Sequence, residues 1–368
     1  MNKSSSRLLP ALGIMALLAL VITAGLIKQA DQPPAGWVEG WRLLPPFTHP
    51  RRAPSATVAN GYLYVVGGVD DHNRYVLPVE YAPILADGQL GPWRETRPLR
   101  TGRFYLAAVS HQGFLYALGG GGGKLGDDNV PLASVERAKI NADGSLQPWQ
   151  HHSYLTTPRR GLKATVVNNR LYAIGGYNGR FLKSTEFLTP DESDAPQWQL
   201  STELAKVDRY IHASATLGNR LFLLGGHVQK GGPMSYGDVE STTVMDNGQL
   251  APWRIAPSHL LTPRFIASAF ALEHYLYIAG GHDGVRRLDS VEMAPISADG
   301  RVGPWTSLAA LNQQRSATAV AINGKTVYLA GGMDDQGVLR TVEMAQLGPH
   351  GKLGYVPHVD NNTELAGQ

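Results

Sequence analysis

The chain contains no cysteine. Disulfides, thiolate metal sites, cysteine nucleophiles and lipid attachment through a thiol are therefore excluded. Acidic residues are missing from positions 1–30, which hold Lys3, Arg7 and Lys28. Those three account for the whole formal charge of +3, because basic and acidic residues balance from position 31 onward. The folded part is neutral, and the sequence isoelectric point of 8.9 gives no support for a nucleic-acid partner. A phosphate loop is absent as well. The glycine run Gly119–Gly123 lacks the Gly-Lys-Ser/Thr ending, and no helix follows it.

One long uncharged run is present, from Leu8 to Ile27. About twenty such residues suffice to span a bilayer as a helix. Lys3 and Arg7 precede it, which favours a cytoplasmic N-terminus and an exported remainder. The run is longer than the apolar core of a cleaved signal peptide, and Ile22-Thr23-Ala24 is a poor cleavage site. The sequence thus predicts a signal anchor within residues 1–30, single-pass in the inner membrane, with the rest periplasmic. Residues 31–35 read as a short stiff spacer.

A repeat dominates what remains. Six apolar strands end in glycine doublets: Gly67-Gly68, Gly119-Gly120, Gly175-Gly176, Gly225-Gly226, Gly280-Gly281 and Gly331-Gly332. They fall 52, 56, 50, 55 and 51 residues apart. A period near fifty means stacked units, none able to bury its apolar face alone. In the second copy, Arg103–Val109 reads as a first strand and Phe114–Leu118 as the next. Ala133–Ala138 alternates as a third, Asp143-Gly144 turns the chain, and Ser145–Trp149 reads as a fourth. A Tyr or Phe stands three residues before each doublet, and Trp93, Trp149, Trp198, Trp253 and Trp305 recur late in their copies. These large side chains are expected to fill the wedges between units.

On the doublets, the preceding aromatics and the spaced tryptophans, the chain resembles the kelch-repeat family. The resemblance covers roughly residues 36–356 and implies an all-β, six-bladed β-propeller over 51–357. Residues 358–368 form a tail. The phrase Ala86–Trp93, repeated at Ala298–Trp305, is similar to a variant common in bacterial kelch proteins. Two segments read as the closing fourth strand, Ala35–Trp41 and His350–Tyr355. One terminus is expected to complete the last blade, with the other alongside it or loose.

Residues present in every blade are expected to hold the blade together; irregular ones need another reason. Arginines begin the first strands at Arg52, Arg103, Arg160, Arg209, Arg264 and Arg315, and glutamates occupy the third strands from Glu80 to Glu343. Two readings stand open: a cationic ring facing a ligand, as in some kelch domains, or internal pairing at blade junctions. Irregular positions cluster after the doublets and after these arginines. They include Phe104, Tyr210 and Phe265, then Tyr177, His227 and His282, with His212 on a first strand and Lys163 its counterpart in blade 3. Longer loops occur at 121–129 and 227–236. Candidate ligand-binding residues are therefore Arg103, Phe104, Tyr177, Arg209, Tyr210, His212, His227, Arg264, Phe265 and His282. Two matched histidines and one offset do not make a metal site, and paired aspartates at 70–71, 127–128 and 334–335 read as solvated loop tips.

Nothing in the residues forms a recognised catalytic constellation, and no cofactor motif is present. The expectation is a membrane-anchored extracytoplasmic interaction module with a protein or carbohydrate ligand. The alternative is a periplasmic sugar-acting enzyme, since the resemblance includes sialic-acid mutarotases, whose chemistry an Arg/His face would suit. Copper-radical oxidases with kelch-like propellers need a Tyr–Cys cross-link, which this chain cannot form.

Overall fold

The computed structural model describes residues 33–125, 129–190, 196–227 and 234–357. The apolar segment 8–27, the tail 358–368, Asp127-Asp128 and the loop centre 228–233 lie outside the described residues. Among the described residues no helix is long and apolar enough to cross a membrane.

Six antiparallel sheets stand in a ring. The strands nearest the axis are Ser55–Ala59, Ala107–His111, Lys163–Val167, Ala213–Leu217, Ser268–Leu272 and Ala319–Asn323. Each pairs with the strand that ends at the glycine doublet, and that strand pairs with the third. Small residues suit the crowded hub. The core lies between blades rather than within them: Tyr64 and Val79 of blade 1, for example, pack with Leu115, Ala117 and Trp149 of blade 2. Burial on one unit therefore depends on the next, and the ring must close.

Two strand boundaries differ from the sequence reading. The inner strand of blade 2 begins at Ala107, not Arg103, because Tyr105 adopts a left-handed φ of +49° that interrupts the ladder. The outer strand is Gln150–Tyr154 rather than 145–149. Leu146 instead closes the Asp-Gly turn against Ile140, and Trp149 is buried before the strand starts.

Ring closure uses both termini. Arg42–Leu44 pairs with Val342–Met344 as the outer strand of blade 6, directly after buried Trp41. Leu353–Tyr355 pairs with Gln346 and Leu347 further along the same strand, and Val38–Glu39 adds beside it. The expected choice between termini is resolved as a division of one strand position between them.

A second repeated device locks each blade. Arg51, Arg103, Arg159, Arg209, Arg264 and Arg315 are all at most 1% exposed. Each donates to the carbonyl of the first doublet glycine, as Arg103 Nη1 does to Gly119 O at 2.8 Å. Each also holds a third-strand glutamate: Arg51–Glu80 at 2.5 Å, Arg159–Glu186 at 2.6 Å, Arg209–Glu240 and Arg315–Glu343 at 2.7 Å, Arg103–Glu136 at 2.8 Å, and Arg264–Glu292. The glutamates accept backbone N–H groups from the links entering their blades, such as those of Thr156 and Thr157 on Glu186. The two Nη groups, the carboxylate, the strand and the link are thus tied together, which makes the buried ion pair tolerable even where the Nε of Arg103, Arg209 and Arg315 finds no partner.

Candidate functional site

Every blade enters its inner strand through the same three steps: the buried clamp arginine, one variable residue, then a residue with positive φ. The last set is Ala53, Tyr105, Gly161, Ile211, Ile266 and Ala317, with φ from +46° to +66°. Only glycine adopts this conformation freely; a β-branched residue there is an outlier. Neighbouring blades stitch these residues together around the axis. The N–H of Tyr105 donates to Ala53 O at 3.0 Å, Gly161 to Tyr105 at 2.8 Å, Ile266 to Ile211 at 2.9 Å, Ala317 to Ile266 at 2.9 Å and Ala53 to Ala317 at 2.8 Å. The step from Gly161 to Ile211 is the one without such a bond among the described residues. Backbone strain held by a surrounding frame is characteristic of functional positions.

The variable residue pairs with the residue after the doublet in each blade. The bridges are Arg52–Val69, Phe104–Gly121, Arg160–Tyr177, Tyr210–His227, Phe265–His282 and Ser316–Met333. The two sets of irregular positions are therefore one set of adjacent residues on one face, around the mouth of the central channel. Here the structure brings Tyr177, Tyr210, His227, Phe265 and His282 together, while Phe104 meets Tyr75 and Tyr105 instead. Tyr177 and Tyr210 have ring centroids 5.2 Å apart, and Phe181 lies 5.7 Å from Tyr210. Phe265 lies 5.1 Å from His227 and 5.2 Å from His282.

Arg103, Arg209 and Arg264 are not part of this surface. They are clamp residues at 0%, 1% and 0% exposure, and burial pulls the Arg103 and Arg264 guanidinium pKa values down while their glutamates pull them up. His212 is also removed from the surface, at 0% exposure beneath the mouth. Conversely, Arg52 and Arg160 do not belong to the repeated ring. The clamps of blades 1 and 3 are Arg51 and Arg159, and Arg52 and Arg160 occupy the variable position. The signal that separates them is spacing. Every clamp arginine stands 16 residues before the doublet glycine it holds, whereas Arg52 and Arg160 fall one short.

These two arginines give the face its character. The Arg160 guanidinium lies 4.9 Å from the Tyr177 ring centroid and 5.8 Å from that of Tyr210, within cation–π range. Its Nη1 donates to Asn129 Oδ1. Arg52 Nη2 donates to Asn73 Oδ1 at 2.6 Å. Neither has a carboxylate partner among the described residues. Tyr105 sits within the field of both, and burial raises its pKa against their opposing pull. Two further pairs of charges on the face are engaged with each other: Asp70 holds Arg74 at 2.9 Å and Arg287 holds Asp335 at 2.5 Å. The cluster Asp70, Asp71 and His72 has three potential ligand atoms close together, but its acids are engaged with Arg74 and His72 at an exposed tip.

Gly161 is required for this packing. A Cβ at that position would lie 2.6 Å from Tyr210 Cε2 and 3.2 Å from Ile211 Cγ2. Tyr210 therefore leans across from blade 4 onto blade 3, where it meets Arg160.

A kelch motif family model matches residues 158–191, which include the clamp Arg159, the doublet Gly175-Gly176 and Glu186. The chain is a kelch-repeat six-bladed β-propeller. It is similar to beta-scruin of Limulus polyphemus, 27% identical over 193 residues, covering 50% of this chain and 20% of that protein. Human kelch-like protein 23 is 25% identical over 250 residues, covering 67% of this chain and 39% of that protein. The propeller thus spans a minor part of the curated relatives it matches. Among solved structures, that of YjhT superposes with a TM-score of 0.65 at 17% identity, covering 84% of this chain and 98% of YjhT. That likeness concerns the fold. Within the kelch frame the clamp residues are common to all six blades, and the mouth residues are what individualise this propeller.

Proposed function

We propose that this kelch propeller is a membrane-anchored, extracytoplasmic ligand-binding module without catalysis of its own, and that its loop face captures a carboxylate-bearing ligand. The observation that carries the reading is the pair Arg52 and Arg160, held by neutral amides beside Tyr105 on an aromatic floor. A guanidinium lacking an acid partner is a ready bidentate site for a carboxylate. Flanking aromatic rings add apolar contact of the kind that sugars and peptides use. The uncharged run Leu8–Ile27 behind Lys3 and Arg7 supports the anchor and the export of the propeller.

Titration calorimetry on the full chain tests the reading. An acidic peptide and N-acetylneuraminic acid serve as probes, each with its amide analogue as control. Binding of a carboxylate probe should be lost with its amide, and lost in Arg52→Ala/Arg160→Ala. Equal binding of acid and amide would remove the proposed recognition. A second reading, a sugar-acting enzyme of the sialic-acid mutarotase kind, has the imidazoles of His227 and His282 flanking Phe265 on the same face in its favour, since acid–base groups could act on a sugar bound there. Acceleration of anomer exchange of that sugar, followed by NMR, decides between binder and enzyme.

A further inference from the structure

Below the ring of positive-φ residues, the central channel widens into a cavity of 130 Å³, and then into one of 290 Å³ toward the opposite face. A narrow neck of 30 Å³ joins it to the mouth. Alanine, serine, threonine, valine and leucine make up most of its wall. Lys163 is the one charged residue among those lining any of these three spaces. Its counterparts at the head of the other inner strands are uncharged: Ser55, Ala107, Ala213, Ser268 and Ala319. No hydrogen bond or ion pair ties the ammonium to any described residue.

A second anomaly lies beside it. His212 is 0% exposed, and neither ring nitrogen has a hydrogen-bond partner. The equivalent positions in blades 2 and 3 are Leu106 and Leu162, which pack against doublet glycines; Lys163 is therefore not the counterpart of His212 that the sequence suggests but that of Ala213, one residue further on. The imidazole takes that place against Gly175. The charged groups facing it are Lys163 and Arg209, and Arg209 is already paired with Glu240. A polar ring and an ammonium thus replace apolar side chains at one seam of the channel, between blades 3 and 4. The same seam lacks a ring hydrogen bond, and Gly161 places no side chain over it. Ser214 of blade 4 lines the cavity here as well.

We propose that the channel contains a site for a small monovalent anion, of chloride or formate size, held by Lys163 and accepting a hydrogen bond from the Ser214 hydroxyl, with the unpartnered His212 ring packed behind the wall at the same seam. An ammonium drawn out of bulk water with no carboxylate beside it either loses its proton or gains a counter-ion. The Ser214 hydroxyl, which lines the same space, favours the second. Burial alone pulls the Lys163 pKa from 10.5 down to about 8, and a bound anion would raise it again. This site lies beneath the ring and is independent of the ligand proposed for the outer face.

The test uses the full chain in detergent micelles, with its lysines reductively ¹³C-methylated and followed by NMR. The Lys163 signal is the one missing from Lys163→Ala, a substitution that restores the residue type of Ala107, Ala213 and Ala319. Titration with sodium chloride, and separately with sodium formate, should shift that signal saturably and raise its pKa by about one unit, a tenfold change. Ser214→Ala should weaken the apparent affinity several-fold while leaving the other lysine signals unchanged. If Lys163 titrates near pH 8 with or without either anion, the amine is simply neutral and the site does not exist. A saturable response persisting on other lysines in Lys163→Ala would place the anion elsewhere and equally overturn the proposal. Should the alanine variant fail to fold, Lys163→Met provides the same assignment.

Discussion

Arg159 and Arg160 are chain neighbours with opposite surroundings. Arg159 is fully buried, holding Glu186 at 2.6 Å and Gly175 O at 2.7 Å. Arg160 is half-buried at the channel mouth, over two tyrosine rings, with no carboxylate partner among the described residues. The same contrast separates the whole clamp ring from the whole mouth ring, one residue further on in every blade. Residue type does not decide between structure and recognition here. What decides is whether the position's partners come from its own blade or are left for something else. The clamp is invariant because glutamate, glycine carbonyl and link N–H groups all depend on it. The mouth varies because only the backbone bridge to the post-doublet residue is required, and any side chain can make that.

The sharpest way to break the contrast is to remove each arginine in turn. Arg159→Ala leaves Glu186 buried without its cation and should destabilise the fold by about 3–5 kcal/mol in urea unfolding. Removing both partners, as Arg159→Met/Glu186→Leu, should recover much of that loss, because an apolar pair leaves no isolated charge. If Arg159→Ala proves no worse than Arg160→Ala, the clamp is not what holds the blade.

Much of this frame was legible in the sequence. The doublets, the aromatics before them and the tryptophans define six blades with interlocking cores, and Tyr64, Tyr172, Tyr277 and Tyr328 each reach the turn glycine of the next blade. Their hydroxyl bonds could not be read from spacing. Phe222 has no hydroxyl, and Arg220 of the same strand bonds across to Ala298 O at 2.9 Å. The site was legible in part. Variation after the doublets pointed to Tyr177, His227 and His282, and those residues do meet Tyr210 and Phe265. The arginine ring is ambiguous in sequence at Pro50-Arg51-Arg52 and Pro158-Arg159-Arg160, where two arginines stand together and either fits the pattern. Tyr105 is invisible to a side-chain pattern because its role depends on a left-handed backbone.

The positive-φ ring gives a second, smaller test. Gly161→Ala should cost about 1–2 kcal/mol from the left-handed backbone alone, and its Cβ meets the Tyr210 ring. Its mark is spatial: the change should displace Tyr210 from Arg160 and leave the Arg159–Glu186 clamp in place. Loss of the clamp along with the mouth would mean that the two rings are one cooperative unit rather than a frame and its variable edge.

A pH series sharpens the contrast further. Burial, then Lys163 and Arg209, hold the His212 pKa well below its ordinary 6.5. As pH falls through that ordinary value, the unfolded chain takes up a proton that the folded chain refuses. Stability therefore falls with pH, by up to about 1.4 kcal/mol per unit from this group. His212→Leu abolishes this contribution. The difference in unfolding free energy between the variant and the parent should widen steadily on acidification below pH 6.5. A constant difference would mean that His212 is charged in the folded channel.

The smallest expected effect on stability belongs to Arg160 itself. Its guanidinium contributes a partly exposed cation–π contact, worth about 0.5–1 kcal/mol, and one amide hydrogen bond. Arg160→Ala should therefore change unfolding by no more than about 1 kcal/mol, while Arg160→Lys keeps the charge but loses the planar fork. Recognition of a carboxylate by a bidentate arginine would be weakened by both variants. A general positive potential would be spared by the lysine. The stability of the two variants should be nearly alike, so that a difference in binding between them isolates the geometry of the guanidinium. That is the outcome expected of a mouth residue, and it could not arise from a clamp.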